Sequence, residues 1–401
     1  MEGLDAIYEV VALGTGSKCL GENELSLDGS LVHDSHAEII AKRAFIMYLL
    51  NQLEITFSNR MVKDASKHEH TFDYIETDQN FRLKSGVKFH FYSSHPPCGD
   101  ATIAPKHNNS YIKIDISEEP DVIHEQIKRQ KLENRNLIKD IHRTGAKCID
   151  QSLIKDPVHN TDCPKDYHIL GAIRKKPGRG DPTESLSCSD KMAKWNFIGL
   201  QGSFLSVLLQ NGPIMWSSLT IGSDQFNAES VNRSLFSRFN DHENVLRRIP
   251  LVHSNIHFQF SKSGGSKTEL KVEELIACSS NIAYAQAGGQ LILHEVLVDG
   301  RKQGITKKHF GTPKSRVSIC RLNISKRFLE LLRKIHMECD SPVTCDICEI
   351  LKVNVKYCEL KLVCQNKCRW YKNRINTFNN ILSGLKEARQ LRRRRLDNFY
   401  I

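Results

Sequence analysis

Val32-His33-Asp34-Ser35-His36-Ala37-Glu38-Ile39-Ile40-Ala41-Lys42-Arg43 decides how this 401-residue chain is read. His36 can bind a metal ion through a neutral imidazole. Glu38, two positions on, can carry a proton. The plain alternative is a helix start, because Ser35-x-x-Glu38 has the form of a capping box before an apolar run. Ile39, Ile40, Ala44, Met47 and Leu50 recur at helical spacing, which predicts a helix from about Ser35 to Leu53 with Lys42 and Arg43 on its first turns. The tripeptide alone does not choose between the two readings.

Downstream, Lys88-Phe89-His90-Phe91-Tyr92 alternates as a strand and runs into His95-Pro96-Pro97-Cys98-Gly99-Asp100. The prolines stop the strand and preset entry to a helix, which would place Cys98 near a helix N-terminus, where thiolate is favoured. The plain reading of Cys98 is a small buried hydrophobe. His-x-Glu followed by Pro-Cys and a further Cys is the signature of the zinc nucleobase deaminases. There the two cysteines are two residues apart, whereas Gly99 to Pro105 contains no cysteine. Spacing does not select the third ligand among the others.

The rest of the chain sets bounds. The net charge of +11 favours polyanionic partners, RNA or DNA first. No apolar run is long enough to span a bilayer and the first residues do not form a signal peptide, so no membrane association is expected. Thirteen cysteines without a secretion signal read as mostly reduced thiols in the cytoplasm or nucleus. Ile7 to Leu13 reads as a strand ending in the Gly-rich turn Gly14-Thr15-Gly16-Ser17-Lys18-Cys19. Asn59 to Asn80 reads as a polar loop, and Ser117 to Asp166 as charged and irregular. Lys175-Lys176-Pro177-Gly178-Arg179-Gly180-Asp181 is a basic loop, followed by Ser187-Cys188-Ser189-Asp190-Lys191 and an apolar helix through Leu209. Trp216 to Ile221 reads as a strand and Ala228 to Val245 as a helix. Ile282 to Ala285 and Gln290 to Val298 read as an antiparallel pair, and the C-terminal third as helical and basic. Cys345-x-x-Cys348 has structural-zinc spacing, and Arg392 to Arg395 has the form of a basic tail; a plain helix and a solvated tail are the favoured readings.

His-Ala-Glu-Ile-Ile-Ala-Lys-Arg, Pro-Cys-Gly-Asp-Ala, Ser-Cys-Ser-Asp-Lys-Met-Ala-Lys-Trp-Asn, Gly-Thr-Gly-Ser-Lys-Cys and Gly-Leu-Gln-Gly-Ser together resemble the deaminase domain of the adenosine deaminases acting on RNA. Lys-Pro-Gly-Arg-Gly-Asp and Arg-Thr-Gly-Ala-Lys-Cys resemble its tRNA-specific branch. The resemblance implies an α/β, cytidine-deaminase-like three-layer fold with a central mixed β-sheet, the zinc between two helix N-termini, and a helical C-terminal extension. One deaminase domain would span residues 1–401, with a zinc core over about 1–225 and a C-terminal part over about 226–401. The resemblance also implies a helix and a first strand before Gly-Thr-Gly, and this sequence, which starts only a strand earlier, is expected to lack that element.

The resemblance further implies zinc on His36, Cys98 and Cys188, leaving one open position as catalytic zinc sites do, with Glu38 as proton shuttle. It implies contacts of Ser17 and Lys18 with the target nucleotide, and of a loop at Arg143 and Thr144 with RNA. The duplex-editing relatives carry a Glu where Thr144 stands, and its replacement suits a target already unpaired in a tRNA loop. It implies buried inositol hexakisphosphate near Lys42, Arg43, Lys191, Lys194, Trp195, Gln201 and Ser203, and more loosely near Arg301, Tyr357 and Lys361. Taken without the resemblance, these basic residues read as solvated helix positions. The expected activity is zinc-dependent deamination of adenosine to inosine in tRNA, next to the anticodon of alanine tRNA, with no obligate protein partner. The rival is an impaired or truncated deaminase-like RNA-binding protein. A cytidine-deaminating enzyme is a third reading, decided by pocket shape.

Overall fold

A computed structural model describes residues 7–60, 71–103, 147–148, 170–177, 181–210, 212–222, 225–239, 248–256 and 279–338. They form a mixed α/β architecture built around one long helix. Strands β1 (Ala12–Gly14), β2 (Ser17–Cys19) and β3 (Asp34–His36) lead into helix α1 (Ala37–Asn59). The short hairpin β4 (Phe72–Ile75) and β5 (Asn80–Leu83) follows, then β6 (Phe89–Ser93). Two-residue strands β7 (Lys147–Cys148) and β8 (Arg174–Lys175) pair with each other before α2 (Cys188–Ile198) and the one-turn helix α3 (Gly202–Leu205). Next come β9 (Trp216–Gly222), α4 (Ala228–Val231), β10 (Leu251–Ser254), β11 (Ser280–Ala287), β12 (Gln290–Val298), β13 (Arg301–Lys302) and α5 (Arg321–Glu338).

Helix α1 is apolar around most of its circumference, the pattern of a helix enclosed on several sides. Ile40, Ala44, Leu49, Leu50 and Leu53 are almost wholly buried, as are Ile39 and Met47. It packs on β1, β11 and β12, on β4, and on α5. Phe45 and Tyr48 meet Phe89 of β6 edge-on, at ring separations of 4.9 and 6.4 Å. One apolar core joins Val32 and α1 to residues beyond 226, among them Ala283, Leu297, Val317 and Phe328.

Among the described residues the larger sheets are two: an antiparallel one in the order β1-β11-β12-β13, and a parallel one in the order β10-β9-β6. The antiparallel and parallel pairings thus occupy separate sheets, where a single mixed sheet was expected. No described strand links the edges β1 and β6.

Other boundaries also differ from the expectations. The predicted strand Ile7 to Leu13 shrinks to Ala12–Gly14; one further bond, Gln286 N to Val11 O at 3.2 Å, continues the pairing, and Ile7, Tyr8 and Val10 are exposed. The α1 helix begins at Ala37, with His36 at its N-cap making no side-chain cap bond, and runs on to Asn59. Ser35 is therefore no capping residue; it pairs with Lys18 in the β2–β3 ladder. Within the polar loop expected over Asn59 to Asn80, residues 61–70 lie outside the described residues, and residues 72–80 form β4 and the turn into β5. The helix expected through Leu209 stops at Leu205, because Leu208 O and Gln210 N turn aside to bond Phe81. Of the helix expected over Ala228 to Val245, the part after Val231 is a π turn and a 3-10 turn ending at Phe239, and residues 240–245 lie outside the described residues. No described helix is long and apolar enough to cross a membrane.

Gly14 fixes how closely β1 approaches α1. A Cβ there would lie 2.3 Å from Ala41 N and 2.5 Å from Ala37 O, both backbone atoms. Gly14→Ala should therefore destabilise the fold by about 1–3 kcal/mol, as overpacking does. A thermal or urea melt checks this, and an unchanged midpoint would contradict the close approach.

Candidate active site

The start of α1 is built by the Gly-rich turn. Gly16 O accepts from Ala37 N at 2.9 Å, and β2 pairs with β3 so that Ser17 faces His36, Lys18 faces Ser35 and Cys19 faces Asp34. Gly16 has φ +134°, and a Cβ there would strike Ser35 O and Asn281. Ser17 is exposed and Lys18 half-buried beside the site.

Cys98 and Cys188 come together across 90 positions of sequence. Cys188 N donates to Cys98 Sγ at 3.3 Å, Ser189 N to Cys98 O at 3.0 Å, and Ser189 Oγ to the same oxygen at 3.0 Å. Gly99, at φ +106°, makes this possible, since a Cβ there would overlap Ser187 and Ser189. Cys188 is the first residue of α2, and the Ser187 hydroxyl caps that helix by accepting from Asp190 N. Cys98 precedes only a 3-10 turn, Asp100–Thr102, so the full helix expected at its position does not form. Helices α1 and α2 thus both begin at the site.

Asp100 and Asp190, each two residues past a cysteine, are fully buried behind these turns. Arg238 reaches both, at 2.6 Å from Asp190 Oδ1 and 3.7 Å from Asp100 Oδ2. Arg233 adds contacts at 3.1 Å to Asp100 Oδ2 and 3.0 Å to its carbonyl. Two buried carboxylates thus have cationic partners, as buried charge requires.

His36 and Glu38 complete the cluster. His36 Nδ1 bonds Asp34 Oδ1 at 2.9 Å, and Cys98 lies within hydrogen-bond reach of the ring. Glu38 Oε2 accepts from Cys188 Sγ at 3.3 Å. Asp34, almost fully buried, accepts from Lys176 Nζ at 2.9 and 2.7 Å, from Ser185 Oγ at 2.9 Å and from Lys191 Nζ. The same Lys176 Nζ is 3.1 Å from Cys188 Sγ. Lys176 was read only as part of a basic loop, and nothing in its own neighbourhood in sequence points to Asp34, 142 positions away.

The charges follow from these contacts. Burial alone would push the Asp34 carboxyl up, but Lys176 and Lys191 outweigh it and hold it well below the ordinary carboxylate range. Burial would depress Lys176, and Asp34 with the two thiols reverses this and keeps it charged. The hydrogen bond from Cys188, with Lys176 and His36 nearby, holds Cys98 as thiolate, while burial and that neighbouring thiolate push Cys188 up. Burial and Lys176 lower the imidazole of His36, yet Asp34 and Cys98 prevail and raise it to about 9. Burial, then Cys98, raises Glu38.

Among the described residues no three His, Cys, Asp or Glu side chains are disposed around a common point as a ready cage for a metal ion; here the thiols and imidazole contact one another. The donor set nevertheless suits zinc: one imidazole and two sulfurs. The Nδ1–Asp34 bond leaves Nε2 as the ligating atom, the usual arrangement behind a metal-bound histidine.

A cavity of about 330 Å³ adjoins the site. Lys42, Arg43, Lys191, Lys194 and Arg321 line it, with Trp195, Gln201 and Ser203, and Asp34 forms part of its wall. Arg321 was not singled out in the sequence. Gln201 spends its side chain on the backbone, donating to Ile198 O and accepting from Ile214 N. Arg301 does not line this cavity; its guanidinium lies 4.5 Å over the Phe310 ring. Arg143, Thr144, Tyr357 and Lys361 lie outside the described residues, as do Cys345, Cys348 and the arginines 392–395.

Comparison with known proteins agrees with this geometry. Residues 12–384 match the family model described as the adenosine-deaminase (editase) domain. The tRNA-specific adenosine deaminase 1 of Drosophila melanogaster is 33% identical over 331 residues, covering 81% of this chain and 72% of that protein. The Homo sapiens protein of the same name is 29% identical over 411 residues, covering 82% and 78%. The double-stranded RNA-specific editase Adar of Drosophila melanogaster is 31% identical over 217 residues, covering 54% and 27%. The chain therefore belongs to the adenosine-deaminase (editase) domain family, and within it stands with the tRNA-specific adenosine deaminases.

Proposed function

We propose that this protein deaminates adenosine to inosine in tRNA by hydrolysis, using zinc held by His36, Cys98 and Cys188. The observation that carries the reading is a chain of contacts linking these side chains from three separate parts of the sequence: Cys188 N to Cys98 Sγ, Cys188 Sγ to Glu38, and Cys98 within reach of the His36 ring. Zinc there would lower the pKa of water at its open position toward 7. Glu38 takes the proton of the attacking water and returns it to the base, so that ammonia leaves from C6 of adenine. Its raised pKa, set by burial and the Cys98 thiolate, favours a carboxyl that holds that proton. Asp34 orients His36, and Lys176 balances the charge of Asp34 and the thiols.

The target proposed is the adenosine next to the anticodon of alanine tRNA, with Ser17 and Lys18 at the mouth of the site to meet ribose and phosphate. The whole chain is read as one deaminase domain of the three-layer, cytidine-deaminase-like class with a helical C-terminal extension. The core shared by α1 and residues beyond 226 supports that division into parts rather than independent units. Incubation with unmodified alanine tRNA, read as A-to-G change on reverse transcription, tests the activity. Inosine at that position supports the assignment. No inosine in any tRNA from folded, zinc-loaded protein would favour the rival, a deaminase-like RNA-binding protein.

The cavity beside Asp34 is proposed to hold inositol hexakisphosphate. Five cations line the cavity against the two carboxylates Asp34 and Glu184, and a lining with that positive balance suits an anion of high charge. Acid denaturation of the purified protein should release the ligand at about one per chain, read by anion chromatography. Protein that releases no polyphosphate yet melts as high as samples given the ligand would contradict the proposal.

A further inference from the structure

Residues 300–316, Gly-Arg-Lys-Gln-Gly-Ile-Thr-Lys-Lys-His-Phe-Gly-Thr-Pro-Lys-Ser-Arg, carry six Lys and Arg and no Asp or Glu. A charge run is usually a solvated face, so the run alone identifies nothing. Three further observations single it out.

First, the segment is an ordered platform. Two 3-10 turns, Lys307–His309 and Pro313–Ser315, are closed by Phe310 N to Lys307 O and Ser315 N to Thr312 O, each at 3.1 Å, and Thr312 N to His309 O, also 3.1 Å, links them. Ser315, Val317 and Ile319 anchor it in the interior. Lys302, Lys307, Lys308 and Lys314 remain exposed to solvent.

Second, it presents an aromatic surface among the charges. Phe310 is 44% exposed, and the Arg301 guanidinium covers one face of its ring at 4.5 Å. Basic side chains interleaved with an exposed aromatic suit a polyanion that also carries flat bases.

Third, it lies at the active-site end of the sheet. Ser280 pairs with Val298, and the neighbouring Asn281 lies against Gly16. Val32 N donates to Gly300 O at 3.1 Å, and a Cβ on Gly300 would strike Val32 O at 2.4 Å. The basic turn therefore starts against the strand that leads to Asp34 and His36. Of the carboxylates beside it, Asp299 sits at the turn, Asp28 is held down, against the effect of burial, first by Ser30 and then by Arg316, and Glu295 accepts from Ser318.

We propose that this platform docks the phosphate backbone of the tRNA outside the reacting loop. The proposal rests on the reading of the protein as a tRNA deaminase, and it names a surface for that substrate that the catalytic cluster does not include. Four lysine contacts to phosphate predict a definite salt signature, because each neutralised phosphate contributes about 0.7–0.9 to the slope of log affinity against log salt.

The test compares the full-length protein with the quadruple variant K302Q/K307Q/K308Q/K314Q and the pair K307Q/K308Q. Alanine tRNA binding is read by fluorescence anisotropy across a salt series, with the melting temperature as a fold control. The quadruple variant should flatten the salt slope by about 3 and the pair by about 1.5. Affinity at physiological salt should fall about tenfold or more for the quadruple variant, and the loss in turnover should appear in KM rather than kcat. A slope and KM like those of the unaltered protein, in either folded variant, would overturn the proposal and leave the run solvated or reserved for an acidic protein. The two readings separate cleanly. Inosine formed by the unaltered protein with no slope change in the variants sinks the surface alone. A flattened slope with no inosine from the unaltered protein sinks the deaminase reading alone.

Discussion

Glu38→Gln should cut inosine formation by about 10²–10⁴-fold, the range for loss of a positioned proton carrier. The substitution keeps the shape of the side chain and removes only its ability to carry the proton. Glu38 touches Cys188 at 3.3 Å, and burial beside Cys98 raises its pKa, so its position and its protonation both suit the role. Zinc content and tRNA affinity should stay near those of the unaltered protein, since Glu38 is neither proposed ligand nor part of the basic platform. Single-turnover measurement on alanine tRNA separates chemistry from binding. Equal inosine from both proteins would remove Glu38 from the mechanism.

Asp34→Ala should be the most disruptive change to the fold near the site. Asp34 is the shared acceptor of Lys176, Lys191, Ser185 and His36, and the Lys176 side chain is fully buried. Removing one partner of a buried ion pair leaves an uncompensated charge and costs about 3–5 kcal/mol. The loss of the His36 contact should also weaken zinc binding about 10–100-fold, as for other outer contacts of metal-bound histidines. Urea denaturation and a chelator competition measure the two effects. Because the cost comes from the stranded ammonium, the double variant D34A/K176M should recover part of the lost stability. A single variant as stable as the parent, or a double variant worse than the single, would contradict this account of Asp34.

How much of this was legible in the sequence depended on distance along the chain. The apolar spacing of α1 located its buried positions, because helical period is a local property. The β11–β12 hairpin and β9 were equally local and equally visible. Ser35 misled because a capping box is also a local pattern, and tertiary pairing with Lys18 overrode it. The two cysteine turns meet through Gly99, whose need for φ > 0 and for close approach to Ser187 could be suspected from its place after Pro-Pro-Cys but not located. The roles of Lys176 and Arg321 are not legible locally because they depend on distant contacts, Lys176 with Asp34 and Arg321 with a cavity wall shared with Lys42 and Lys194. The resemblance links Arg301 only loosely to the polyanion site, and its stacking at 4.5 Å on Phe310, nine positions on, could not be read from the sequence.

The most direct measurement is zinc content on purified protein, taken with inosine formation on the same sample. The account predicts about one zinc per chain in the unaltered protein. It predicts loss of both zinc and inosine in Cys188→Ser, and retention of both in Cys320→Ser, which alters a buried cysteine outside the site. Soluble, folded, unaltered protein that holds no zinc, or a Cys188→Ser variant that keeps its full zinc and activity, would contradict the central claim.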